Sequence, residues 1–97
     1  MKAEDIEKRQ STRLKLLYDI YKSGLSNYDI RKSAFNIEIR NGIFEEALDY
    51  LQGEDFVKMT DKSIGKITHK GKKVIEAAVL NSNKRTEHFP PFDEVII

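Results

Sequence analysis

The sequence contains no cysteine, and it has only two prolines and five glycines in 97 residues. The absence of cysteine excludes disulfide frameworks, cysteine-ligated zinc and thiol catalysis, and a reducing compartment is expected. No apolar run approaches the roughly 18 residues of a membrane-spanning helix. The acidic N-terminus is not followed by the apolar core of a secretory signal. We therefore expect a cytoplasmic protein without a membrane partner.

Neither sign of charge is in excess. Seventeen Lys and Arg stand against sixteen Asp and Glu, a formal net charge of +1. Composition alone therefore does not indicate a nucleic-acid-binding protein. The length is that of one domain with a modest core, and 39% apolar residues are enough to build it.

Apolar spacing predicts four helices and one β-hairpin. The helices are expected at about Ala3–Lys22, Tyr28–Asn36, Gly42–Gln52 and His69–Leu80, with hairpin strands at Phe56–Thr60 and Ile64–Thr68. In the first helix the apolar face lies in the C-terminal half: Leu14, Leu17, Tyr18 and Tyr21. Its first half has only Ile6 as an apolar anchor, so it is expected to project into solvent.

Small and capping residues delimit these elements. Gly24 and Gly53 are expected to end the first and third helices, and Thr68 is expected to cap the fourth. In the second helix, Ile30 should turn inward. In the fourth, the buried stripe includes Gly71, where a missing side chain would let another backbone approach closely.

The order helix–helix–helix–hairpin–helix is that of a winged helix-turn-helix domain. Three segments carry a resemblance to the winged-helix pattern of bacterial and archaeal regulators: Ala47–Leu51 ("ALxYL"), Gly53–Val57 ("EGFV") and Ile67–Glu76 ("ITxxGxxxIE"). The resemblance spans roughly residues 14 to 80, and it departs from the pattern at Asp55, where the family usually has Gly. It implies an α+β, mostly helical fold with three helices, a two-stranded wing and a fourth helix.

Residues 1–80 are therefore expected to form the winged-helix domain and residues 81–97 an extended tail. Pro90 and Pro91 stiffen this tail. The apolar triplet Val95–Ile97 at its end is typical of a linker into a further β-rich region, so we expect an N-terminal domain of a longer protein. The alternative is a tail that docks on its own core or on a dimer partner.

Catalysis is not expected. His69 and His88 are far apart in sequence, and none of the common nucleophile, phosphate-loop, dinucleotide or zinc-protease motifs is present. Neighbouring carboxylates on a helix point apart, which disfavours a paired acid and base. We expect no enzyme activity, no cofactor, no metal and no small-molecule ligand.

The resemblance implies duplex DNA as the partner, with the third helix in the major groove and the wing on phosphates. The outward face predicted for that helix is acidic, however, and the helix has no Lys or Arg, so phosphates would repel it. Positive charge lies on the wing, on the first and second helices and at the start of the fourth; on the first helix it is carried by Lys8, Arg9, Arg13 and Lys15, and on the fourth by Lys70, Lys72 and Lys73. Phosphate contacts are expected mainly from lysines and arginines of the wing and the first helix. The candidate nucleic-acid contacts are Lys58, Lys62, Lys66, Arg31, Lys32 and Arg40. The alternative role of the wing lysines is to solvate the hairpin and to protect its edge from strand addition.

A protein partner is the competing function. The predicted outward face of the third helix consists of Glu45, Glu46, Asp49 and Tyr50, which would suit a partner with a basic patch. Tyr50 could equally be a surface tyrosine that leans on its own domain. A second copy could also pair through the first helix. We place wing-led DNA binding first and this interaction surface second.

Overall fold

The structure, a computed structural model, describes residues 2–24, 27–31 and 42–96. In chain order the elements are α1 (Ala3–Lys22), β1 (Tyr28–Asp29), α2 (Ile43–Gly53), β2 (Val57–Met59), β3 (Ile64–Ile67), α3 (His69–Leu80) and α4 (Phe92–Val95). The predicted fold class is confirmed as α+β and mostly helical, with a small antiparallel sheet of three strands. None of the helices in the described ranges combines the length and apolar content that crossing a membrane requires.

The C-terminal half of α1 lies in the core. Leu14 and Leu17 of the predicted face are buried and Tyr18 and Tyr21 are half-buried, but Leu16 and Ile20, which were not assigned to that face, are buried as well. Residues 2–8 are exposed, which confirms that the start of the helix projects into solvent, whereas residues 9–13 are half-buried or buried. Gly24 follows the helix with φ at 78°, the left-handed conformation expected of a residue that ends a helix.

The end of α2 directs the chain into the sheet. The N–H of Phe56 donates to the carbonyl of Leu51 at 2.8 Å, and the N–H of Asp55 donates to that of Gln52 at 3.0 Å. This pair of bonds is a Schellman motif. Asp55 supplies its left-handed residue with φ at 64°. The predicted stop at Gly53 is therefore wrong, since Gly53 is still helical and the turn comes two residues later.

The hairpin forms as predicted from β2 and β3. Val57 lies opposite Ile67, and Lys58 lies opposite Lys66. The Val57 and Ile67 side chains are buried, whereas both lysines are exposed. Side chains alternate between the two faces of a sheet, so this register gives the hairpin one core face and one solvent face.

The predicted second helix is wrong at its start, because Tyr28 and Asp29 form β1 and pair antiparallel with β3. The predicted two-stranded wing is thus part of a three-stranded sheet with the order β1-β3-β2. The pairing satisfies backbone groups of β3 that would otherwise lie at an open edge. Tyr28 lies opposite Gly65, which has no side chain to obstruct it. Ile30 is buried as predicted, and positions 32–36 lie outside the described residues.

The first turn of α3 is fixed to the sheet at two points. The Thr68 hydroxyl accepts a hydrogen bond from the Gly71 N–H at 3.0 Å, which confirms the predicted cap. The Thr68 N–H donates to the Phe56 carbonyl, also at 3.0 Å. A β-carbon at position 71 would lie 2.2 Å from that carbonyl oxygen. The close backbone approach predicted at Gly71 is therefore confirmed.

The tail packs against the core, and the predicted extended conformation is wrong for Phe92–Val95, which forms α4. Phe89 is fully buried. The ring of Phe92 meets Tyr18 of α1 edge to face, with centroids 5.0 Å apart. These aromatic contacts stabilise a folded-back segment because they bury large apolar surfaces. The described part of the tail therefore docks on the core of its own chain.

Gly71→Ala should lower the free energy of unfolding by about 1–3 kcal/mol, because the added methyl collides with a backbone carbonyl that cannot rotate away. Urea denaturation followed by circular dichroism measures the effect. Gly53→Ala is the matched control, since nothing lies within 4 Å of a β-carbon there. It should raise stability by up to about 1 kcal/mol. Equal effects at the two positions would contradict the close approach.

Candidate nucleic-acid interface

Two lysines define the solvent face of the hairpin. Lys58 on β2 and Lys66 on β3 are directly opposite in the antiparallel register. Directly opposite side chains in such a pair have β-carbons about 5 Å apart. The sequence placed both lysines on the wing, and the register brings them side by side.

The first turn of α3 extends this positive surface. A surface cavity of about 530 Å³ is lined by Lys58, Lys66, Ile67, Thr68, His69 and Lys72. The Thr68 cap holds the helix start at the base of the hairpin, so that His69 and Lys72 border the same cavity as the two wing lysines. We call Lys58, Lys66, His69 and Lys72 the basic patch.

No carboxylate compensates the basic patch: within the described residues none of its four side chains forms an ion pair. Two unfavourable electrostatic interactions occur in the patch. Like charges directly opposite in a sheet destabilise it, and cations near a helix N-terminus oppose the helix dipole. The first turn of α3 contains no acidic residue that could offset them. The patch is therefore a concentrated positive surface that the fold retains at a cost in stability.

The sheet order bears on the protective role considered for these lysines. β2 is an edge strand, so Lys58 fits such a role. β1 pairs with β3 only at Ile64 and Gly65, so among the described residues β3 is also an edge at Lys66. Edge protection therefore fits both lysines, and contact with a ligand of opposite charge is the competing explanation.

Two of the other predicted cationic contacts, Lys62 and Arg31, do not line the cavity at the basic patch. Lys62 is exposed at the hairpin tip, beside Asp61, whose carboxylate accepts from the Lys62 N–H. The Arg31 guanidinium is paired with Asp29, with Nη2 and Oδ2 2.7 Å apart. The hydrogen bonds to Asp29 raise the pKa of Arg31, so the guanidinium stays charged. The carboxylate of Asp29 compensates this charge locally. Lys32 and Arg40 lie outside the described residues.

The predicted acidic face of α2 is outward at only two of its four positions. Glu45 and Asp49 are exposed. Glu46 accepts from Arg13 of α1, whose Nε lies 3.0 Å from Oε1. The Arg13 guanidinium also covers the Tyr50 ring, with Cζ 3.9 Å from the centroid. Glu46 and Tyr50 were therefore wrongly placed outward: as i, i+4 neighbours they share the helix face that meets α1.

Tyr50 also contacts the tail. Its hydroxyl lies 2.9 Å from Nδ1 of His88. The His88 ring in turn meets the Phe56 ring edge to face, with centroids 4.9 Å apart. Burial raises the pKa of Tyr50, so the hydroxyl stays protonated at neutral pH. Both Tyr50 and His88 are therefore engaged in holding the tail against α2.

Sequence reasoning placed Lys72 among the positive charges near the fourth helix but did not select it or His69 as contacts. The signal was available, since both follow a capping residue at the end of a hairpin strand. No three His, Asp or Glu side chains in the described part of the chain come together as a metal site. Comparisons with protein-family models, curated proteins and solved structures gave no match to this chain.

Lys66→Gln should stabilise the domain by about 0.2–1 kcal/mol at low salt, because it removes the like-charge pair with Lys58. The gain should shrink as salt screens the pair. Thermal unfolding at two salt concentrations tests this. Lys62→Gln, at the hairpin tip, is the control and should have little effect. A loss of stability on Lys66→Gln would contradict the unfavourable pairing.

Proposed function

We propose that this chain is a non-catalytic winged-helix module that binds duplex DNA, of the kind found in transcription regulators, and that it acts in the cytoplasm. The order of elements supports the fold: a helix-rich segment precedes the β2–β3 hairpin, and α3 follows it. In this proposal the hairpin is the wing. The additional strand β1 extends the sheet at the side away from β2.

The observation that carries the proposal is the uncompensated pair of Lys58 and Lys66. Both are exposed, they are directly opposite, and they border one cavity with Lys72 and His69. DNA phosphates provide closely spaced negative charges, and lysines that neutralise them release condensed counterions. The repulsion between these lysines lowers the stability of the free protein, and a polyanion that covers them removes this repulsion.

Contacts of this kind position a protein on DNA without reading its sequence. α2 does not supply base contacts that would read the sequence, because it has no Lys or Arg and its exposed side chains include Glu45 and Asp49. We therefore propose that the wing leads the contact and that α2 stays out of the major groove. Affinity should be similar for unrelated duplexes.

The second candidate function is binding of a protein with a basic surface, or of a second copy, through α2. The exposed carboxylates of Glu45 and Asp49 favour it, since neither forms an ion pair within the described residues. One observation weakens this second candidate. Tyr50, which would be the aromatic anchor of the interface, already contacts Arg13 and His88 of its own chain.

Fluorescence anisotropy with a labelled random duplex, titrated with salt, tests the DNA proposal. Non-specific affinity should lie in the range of about 10⁻⁴–10⁻⁶ M at physiological salt and rise steeply at lower salt. In Lys58→Gln/Lys66→Gln the slope of log affinity against log salt should fall by about two, because two phosphate contacts are lost.

The matched control removes charge of the opposite sign from α2. Glu45→Gln/Asp49→Asn should leave DNA affinity near that of the wild type if α2 stays outside the groove. A large gain in affinity from this variant would mean that α2 faces the DNA. No binding by the wild type even at low salt would reject the DNA proposal and favour a protein partner.

A further inference from the structure

The basic patch continues beyond the wing. A second surface cavity, of about 460 Å³, is lined by Tyr21, Lys22, Gly24, Ile67, Lys72 and Glu76. It shares Ile67 and Lys72 with the cavity at the base of the hairpin. The two cavities are therefore neighbours, and together they reach from the hairpin to the C-terminal end of α1. We call the two cavities together the groove.

Lys72 borders both cavities, and its charge is available to bind an anion. Its i, i+4 neighbour on α3 is Glu76, the usual position for a compensating ion pair. The Glu76 carboxylate instead accepts from the Tyr21 hydroxyl, with Oε2 2.8 Å away. This hydrogen bond raises the pKa of Tyr21, so the hydroxyl remains a donor at neutral pH. Lys72 forms no ion pair within the described residues.

The charges along the groove favour a polyanion. Lys58 and Lys66 lie at one end, Lys72 at the middle and Lys22 at the other end. Lys22 is partly engaged, with Nζ 3.6 Å from the Asp19 carboxylate. Ile67, which borders both cavities, is buried and offers little apolar surface. A chain of regularly spaced phosphates matches this series of cations.

We infer that the groove holds one sugar–phosphate strand, which runs from the wing lysines past Lys72 towards Lys22. The inference rests on the proposed function and names the part of the nucleic acid that is recognised. The strand can be one backbone of a duplex or a single strand, because both present the same phosphodiester chemistry. Lys72 then contributes as much to binding as either wing lysine.

Lys72→Gln tests this against Lys73→Gln. Both lysines belong to α3, but Lys73 is exposed and lines neither cavity. In the full chain, Lys72→Gln should weaken binding about five- to tenfold near 50 mM salt and lower the salt slope by about 0.9 on a duplex or about 0.7 on a single strand. Lys73→Gln should change affinity less than twofold. Circular dichroism melts confirm that both variants are folded.

Glu76→Gln provides a test in the opposite direction. The amide oxygen can still accept from Tyr21, but Glu76, the one carboxylate among the described residues that line the groove, loses its charge. Affinity should therefore rise about two- to fivefold at low salt with an unchanged fold. The same substitution at Glu45, which lines neither cavity, should not raise it.

The outcomes separate the two proposals. If the wild type binds neither a random duplex nor an oligothymidine, the proposed function fails and the groove inference fails with it. If Lys58→Gln/Lys66→Gln weakens binding but Lys72→Gln matches Lys73→Gln, the wing function stands and the groove inference is overturned. The duplex and an oligothymidine are titrated in parallel. The nucleic acid that loses more affinity on Lys72→Gln is the one whose strand the groove prefers.

Discussion

The backbone of Phe56 is the point on which the rest of this structure depends. Its N–H closes the end of α2, and its carbonyl accepts from Thr68 at the start of α3. Gly71 leaves room for that carbonyl, and the fully buried Phe56 ring supports His88 of the tail. One residue thus fixes α2, the hairpin, α3 and the tail relative to each other. The lysines of the hairpin and of α3 therefore share one surface.

Features set by neighbours in the chain could be predicted from the sequence. The Thr68 cap, the close approach at Gly71 and the burial of Leu14 and Leu17 in α1 follow from spacing and from the chemistry of single residues. The pairing of Lys58 with Lys66 could also have been counted outward from the hairpin turn. These features include half of the basic patch, because a hairpin fixes its own register.

Features set by distant residues could not be predicted. β1 has only two residues and exists because β3 offers it a partner, so no local pattern reveals it. The attraction of Glu46 to Arg13 depends on how two helices pack, and it turns part of an apparently acidic face inward. The Schellman motif is local, and it was missed for another reason: its left-handed residue is Asp55, whereas left-handed backbone ordinarily favours glycine.

The near-neutral net charge has a consequence for the proposed encounter with DNA. A charge of +1 exerts almost no attraction on a polyanion at a distance, and at 0.1 M salt fields fade within about 10 Å. Electrostatic steering, which speeds the encounter of strongly charged proteins with DNA, is therefore expected to be weak. In the proposed function, orientation at the moment of collision would decide capture, because the basic patch has to face the DNA.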